Sequence, residues 1–289
     1  MKVFQLVLGA LSLLGLSARV DAATLYAASA AGGPGALYTL DAANGAVLLS
    51  IGPTNDVTGT NYPITGLAFH PTTGVLYGST GNNPAATAAR LVTISPATGL
   101  VTVIGSYNAG PINSSGTPTT MTDLAFDAAG NLYGVGSIGG PQLYSINALT
   151  GLATVTGGTG LTSTTGGGLE FAAGGLYGTP TASRFGTYDV GAGAYTNIAN
   201  PAKPVGGGYG ALSTDPDTGL LYGMNVGAGS PPPTHLVTIN PVTGAVTDLG
   251  ASLASLDAIA FQTVIPEPSG LALLAIAAIA LRTRRYRSR

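Results

Sequence analysis

One short pattern keeps returning along this chain, and it returns in fixed company. Ile64-Thr65-Gly66-Leu67-Ala68-Phe69 is echoed by Met121-Thr122-Asp123-Leu124-Ala125-Phe126, Gly168-Leu169-Glu170-Phe171 and Asp257-Ala258-Ile259-Ala260-Phe261. A weakened copy, Gly210-Ala211-Leu212-Ser213-Thr214, stands before the last. A Leu-Tyr pair recurs at Leu25-Tyr26, Leu76-Tyr77, Leu132-Tyr133, Leu176-Tyr177 and Leu221-Tyr222, and glycine follows it in four of the five copies. The third signature is an arm and a turn, as in Leu37-Tyr38-Thr39-Leu40-Asp41-Ala42-Ala43-Asn44-Gly45 and Leu236-Val237-Thr238-Ile239-Asn240-Pro241-Val242-Thr243-Gly244. Related copies start at Leu91 and Leu143, and the poorest at Phe185. Apolar and polar residues alternate with period two, which marks strands, and each arm breaks at Asp, Asn or Ser followed by Gly. Asp or Asn at a turn start caps nearby backbone N–H groups, and Gly supplies positive φ.

Each unit is thus four short strands: the Leu-Ala-Phe strand, the Leu-Tyr strand and two hairpin arms. Successive Leu-Tyr pairs lie 51, 56, 44 and 45 residues apart, close to the length of a β-propeller blade. The order resembles NHL- and YVTN-like propellers, in which the first of these strands lies nearest the central channel. The body opens on the second strand of a unit and closes on the first. The expectation is an all-β, five-bladed β-propeller, closed by a C-terminal strand, Asp257 to Phe261, that joins the N-terminal three. A β-helix needs shorter coils of about 20 to 30 residues. A sandwich leaves the fivefold order without a reason. Six blades require a unit hidden between Ser106 and Thr120, where Gly110, Pro111, Gly116 and Pro118 read as a loop.

The two ends read as addresses. Met1-Lys2 precedes an apolar stretch from Val3 to Leu16, and Val20-Asp21-Ala22 fits a signal-peptidase site. Cleavage is expected between Ala22 and Ala23, giving a signal peptide over 1–22. At the other end, Pro266-Glu267-Pro268 is followed by the apolar run Gly270 to Leu281 and by Arg282, Arg284, Arg285, Arg287 and Arg289. A helix from Pro266 to Thr283 would rise about 27 Å, so snorkelling arginines would make up the remainder of a roughly 30 Å hydrocarbon core. Those arginines hold the C-terminus on the cytoplasmic side. This tail, 264–289, resembles the PEP-CTERM sorting signal of Gram-negative bacteria. The resemblance implies an exosortase-type partner, a transient inner-membrane anchor, and final residence at the cell surface or in the extracellular matrix. An unprocessed C-terminal anchor is the plainer alternative.

The propeller body, 23–263, carries three basic residues, Arg90, Arg184 and Lys203, against ten acidic ones, a net charge of −7. No basic cluster is available to neutralise phosphates, so nucleic acid and anionic lipid are poor partners for it. Cysteine is absent, which removes disulfides and thiol chemistry.

Signs of chemistry are sparse. His70 takes a turn position filled elsewhere by Asp127 and Asp215, and His235 follows Pro231-Pro232-Pro233 just ahead of a strand. Neither reads as a metal ligand, and no cofactor motif is present. Gly166-Gly167-Gly168 and Gly206-Gly207-Gly208 read as tight connections into inner strands. Asp215-Pro216-Asp217-Thr218-Gly219 gathers two carboxylates but lacks the further acids of a calcium loop, and so reads as a turn. One catalytic alternative stands: Asp123 and Glu170, two positions apart in the aligned inner strands, leave the same face, as a glycosidase pair would require. Asp257 falls on the opposite parity. The leading reading is non-enzymatic binding or scaffolding, tied to exopolysaccharide or biofilm. Partners are then extracellular polysaccharide or a surface protein, met through the Ser106–Thr120 loop and the Ser230–Thr234 segment.

Overall fold

The computed structural model describes residues 22–30, 33–81, 85–107, 120–136, 142–161 and 167–262. Five antiparallel four-stranded sheets form a ring. Blade one contains Leu25–Ser29 (β1), Ala36–Leu40 (β2) and Val47–Pro53 (β3). Blade two runs through Ile64–Phe69 (β4), Leu76–Thr80 (β5), Arg90–Ile94 (β6) and Val101–Ser106 (β7). Met121–Phe126 (β8), Leu132–Gly136 (β9), Gln142–Ile146 (β10) and Ala153–Gly158 (β11) make blade three. Blade four holds Leu169–Ala172 (β12), Gly175–Thr181 (β13), Arg184–Tyr188 (β14) and Tyr195–Ala199 (β15). Gly208–Thr214 (β16), Leu221–Val226 (β17), Thr234–Ile239 (β18) and Val246–Ser252 (β19) make blade five.

The last strand, Leu256–Phe261 (β20), completes blade one by pairing with β1, from Leu25 opposite Phe261 to Ala28 opposite Ala258. The expected five-bladed propeller and its closure are both present. Joining the two ends of the body within one sheet removes an exposed inner edge. All but the last residue of the expected signal peptide, the expected PEP-type tail with its apolar run, and all but the ends of the Ser106–Thr120 loop lie outside the described residues. Among the described residues no helix is long and apolar enough to cross a membrane.

Blades adhere because the inner strands, such as β4 and β5, bury both faces against neighbouring blades, while the outer strand β3 stays more exposed. Five apolar clusters result, one at each blade interface. Between blades one and two, Leu37 and Ala258 meet Ile64, Leu67, Leu76 and Val92, all at most 1 % exposed. The signatures interlock across these interfaces. In four of the five Leu-Tyr pairs the tyrosine meets the phenylalanine of the next inner strand edge-to-face, Tyr26–Phe69, Tyr77–Phe126, Tyr133–Phe171 and Tyr222–Phe261, with centroids 5.0–5.6 Å apart. Such pairs add about 0.5–1.5 kcal/mol each beyond burial. The fifth interface has Thr214 where the others have Phe, and Tyr177 stacks instead on Phe185 of its own blade.

The rim repeats a second contact. A hairpin turn of one blade presses on the outer strand of the blade before it, and small residues make the approach feasible. A Cβ on Gly105 would collide with the Thr150 carbonyl, and one on Gly157 with the Ala192 carbonyl. Gly250 meets Asn44 of blade one in the same manner, which carries the contact across the seam.

Each inner strand enters from one end of the ring and leaves at the other. The connections 54–63, 200–207 and 253–255, together with the described ends 107, 120, 159–161 and 167–168, lie at the first end, called here the loop face. Short turns such as His70–Val75 and Asp215–Leu220 occupy the opposite, turn face. Ala23 and Gln262, joined through a Gln262 N–H bond to the Thr24 carbonyl, also lie at the turn face.

Candidate functional site

The central channel is lined by β20, β4, β8, β12 and β16, and pairing with the second strands aligns them layer by layer. One layer consists of Gly66, Asp123, Gly168, Ala211 and Ala258. Four of these residues are small, and the Asp123 carboxylate fills the space they leave. A Cβ on Gly66 would lie 2.9 Å from Asp123 Oδ1.

Asp123 is wholly buried. Its Oδ1 accepts the N–H of Leu124 at 2.9 Å, and Oδ2 accepts those of Leu169 at 2.9 Å and Leu212 at 3.1 Å. A single side chain therefore links the inner strands of blades three, four and five. Burial pushes its pKa well above the usual carboxylate range, while the three N–H bonds pull the other way. Both oxygens are engaged by backbone.

Glu170 lies two positions nearer the turn face. Its Oε1 accepts the Thr214 N–H at 3.2 Å, and Thr214 Oγ1 donates to the Phe171 carbonyl at 3.2 Å. Ser213 repeats the arrangement one blade on, its Oγ accepting the Phe261 N–H at 3.0 Å. Where the aromatic contact is missing, Glu170 and Thr214 thus supply a polar replacement. Burial raises the Glu170 pKa to about 8.

In the aligned ladders Asp123 stands opposite Val135 and Glu170 opposite Tyr177, two positions apart, and the bulge of β8 lies ahead of Asp123. Register shifts between Met121 and Asp123, and the same irregularity interrupts β4 between Ile64 and Gly66 and β16 between Tyr209 and Ala211. The extra residue breaks the alternation on the loop-face side of Asp123 and leaves it intact from Asp123 to Phe126. Asp123 turns into the packed centre while Glu170 keeps partial exposure.

At the loop-face end the layer reads Thr65, Thr122, Gly167, Gly210 and Asp257. Thr65 Oγ1 donates to the Met121 carbonyl at 2.8 Å, and Thr122 Oγ1 to the Gly167 carbonyl at 3.3 Å, each crossing to the next blade. Asp257 lies against Gly210, where a Cβ would strike its Oδ1. Burial raises its pKa to about 7. Thr65 and Thr122 escaped sequence reasoning because threonine is common on strands; only their shared position as the extra residue of each bulge distinguishes them.

The remaining candidates make turn and strand contacts. His70 begins a turn, its Nδ1 lying 3.3 Å from the Thr72 N–H, and its ring packs on Phe126 at 4.9 Å. His235 stands inside β18, one residue past the strand start and not ahead of it, with Nδ1 3.0 Å from Asp248. Asp215 Oδ1 accepts the Asp217 N–H at 2.9 Å, and Oδ2 the Thr218 hydroxyl at 2.7 Å, as a turn requires. Among the described residues no three His, Asp or Glu side chains converge as a metal site would need. Gly206 and Gly207 both take positive φ in the connection into β16.

Solved structures with a similar course include a Bacteroides thetaiotaomicron protein of unknown function, 15% identical, with a TM-score of 0.44 over 79% of this chain and 50% of that one. A protein of unknown function from Bacteroides caccae is 10% identical, with a TM-score of 0.46 over 84% and 99% of the two chains. Myxococcus xanthus glutaminyl cyclase is 19% identical, with a TM-score of 0.45 over 68% and 70%. The chain spans half the length of the first of these. No curated protein matches the sequence. Residues 25–214, from the first strand of blade one through the inner strand of blade five, match a family described as a repeat of unknown function. The chain belongs to that family, DUF6923.

Proposed function

We propose that this protein is an exported, exosortase-sorted propeller of the cell surface or extracellular matrix that binds without catalysing, in association with exopolysaccharide or biofilm. The observation that carries the reading is the division of the ring into two unlike faces. Pro231, Pro232 and Pro233 and both stems of the Ser106–Thr120 loop emerge on the loop face, beside the channel mouth with Asp257, Thr65 and Thr122. Gln262, from which the sorting tail departs, lies on the turn face. A tail held at the inner membrane would therefore present the loop face outward. Loops raised on a rigid scaffold are a common way to build a binding surface.

The alternative is a polysaccharide-acting glycosidase using Asp123 and Glu170. The raised pKa of Glu170 suits a general acid. Asp123, however, has both oxygens bound to backbone beneath a packed layer, which favours binding over hydrolysis. A glycan array paired with a reducing-sugar release assay tests the choice. Binding without turnover is expected; sugar release abolished by Glu170→Gln would overturn it.

A further inference from the structure

The backbone nitrogen of Ala23 donates to Asp217 Oδ2 at 2.8 Å, across 194 positions of sequence. Ala23 is also the residue at which the mature chain is expected to begin. We propose that Asp217 is the receptor for the processed N-terminus. Cleavage by a signal peptidase turns the Ala23 amide into an ammonium, and its ion pair with Asp217 fastens β1 to blade five beside the ring closure. The inference rests on the export reading above.

Pseudo-symmetry of the ring singles this contact out. Counting back from the Leu-Tyr pairs, Ala23 corresponds to Gly130, two residues before Leu132. A Cβ on Gly130 would lie 3.0 Å from His70 Nε2, so there too the turn of one blade touches the start of the next blade's second strand. At that junction the chain is continuous and the opposing turn reads His70-Pro71-Thr72-Thr73-Gly74. Beside Ala23 it reads Asp215-Pro216-Asp217-Thr218-Gly219. The two turns align residue for residue, and the position facing the chain start carries Asp where the internal one has Thr72; the turn of blade three has Ala129 there.

Asp217 is prepared for the contact. Its own N–H is taken by Asp215 Oδ1, and Gly219 N–H closes on the Asp215 carbonyl at 2.8 Å, so the turn is braced from within. Immediately beyond Ala23, the Thr24 carbonyl accepts the Gln262 N–H at 2.9 Å and the ladder of β1 with β20 begins. Hydrolysis of the Ala22–Ala23 bond consumes one water. The carboxylate departs with Ala22, and Ala23 keeps the nitrogen, which is protonated at neutral pH. A bond from an amide N–H to the carboxylate becomes an ammonium–carboxylate pair at the same place.

The test uses the full chain exported from a Gram-negative host, with intact mass reporting its first residue. The same chain, starting at Ala23 after scarless removal of a fusion partner, separates pairing from processing. The readout is the pH-dependent acylation rate of the α-amine, followed by mass spectrometry. An unpaired α-amine titrates at about 7.7–8.0. Pairing with Asp217 should raise that value and slow acylation at pH 7 roughly three- to fivefold, and Asp217→Asn should restore the ordinary rate. A wild-type rate equal to that of the Asp217→Asn variant overturns the pairing. An exported chain starting anywhere but Ala23 overturns the processing step.

Discussion

Replacing Asp123 with alanine tests the reading of the channel as a packed, backbone-capped centre. Alanine fits the layer, since Ala211 and Ala258 already occupy it without exposure. What is lost is the acceptor for three buried N–H groups, those of Leu124, Leu169 and Leu212. Each buried donor left without a partner costs about 1–3 kcal/mol. Against that stands relief from holding a carboxylate in a dry site, a penalty of several kcal/mol for a buried ion. The balance is a net loss of about 2–5 kcal/mol. For a body of this size, 1 kcal/mol shifts Tm by roughly 2–4 °C, so a fall of roughly 5–15 °C is expected. Asp123→Asn should lie between, because its carbonyl oxygen can still serve Leu169 and Leu212 while its amide faces the Leu124 N–H. With thirteen tyrosines and no tryptophan, tyrosine fluorescence in urea and far-ultraviolet circular dichroism on heating are suitable assays. An alanine variant melting within 2 °C of the parent would refute the argument, as would asparagine being the worse of the two.

The remaining expectations concern the channel, the rim and the seam. Glu170 and Asp257 have folded-state pKa values raised to about 8 and about 7. Between their ordinary range and those values the folded chain holds protons that the unfolded chain has released. Stability should therefore be greatest below about pH 4 as far as these groups are concerned, and should decline as pH rises through 7 to 8, by up to about 1.4 kcal/mol per unit for each. A urea midpoint series should show this, with Glu170→Gln flattening the upper part. Gly157→Ala should destabilise by about 2–4 kcal/mol, because its methyl would overlap the Ala192 carbonyl; an unchanged melt would contradict the rim contact. Phe261→Ala removes an edge-to-face partner of Tyr222 from the closing strand and should cost about 3–5 kcal/mol, measurable by the same urea series. Chelator should leave Tm unchanged, since the carboxylates of Asp215 and Asp217 are already engaged by the turn and by Ala23.

Much of the architecture is legible in the residues alone. Leu25-Tyr26 and Asp257 to Phe261 could be assigned to one sheet because each is half of a unit whose other half stands at the far end. The Leu-Ala-Phe and Leu-Tyr signatures proved to be two sides of a single contact, Tyr77 against Phe126 for instance. The channel was harder to read. Strand alternation relates the positions of Asp123 and Glu170, but residue type does not tell that Asp123 accepts the N–H groups of Leu169 and Leu212 from two further blades. The weak copy at Gly210–Thr214 looked like decay. Its Thr214 instead exchanges an aromatic contact for a bond with Glu170, and that becomes visible only once the fourth and fifth blades are side by side. The bond between Ala23 and Asp217 depends on ring closure and has no local signature.

Because the completing strand of blade one is the last part of the body to be made, assembly cannot proceed strictly from the beginning. While the later sheets emerge, β1 must wait with its inner backbone unpaired, until Leu256 to Phe261 arrive more than 220 residues downstream. In chain entropy this delay is modest, about 1.5 kcal/mol more than closing a span of one blade. In time it is not: such distant pairing is slow, and an uncovered strand offers itself to foreign backbone meanwhile. A circular permutant with its break between two sheets, by contrast, should fold faster and aggregate less than the natural chain.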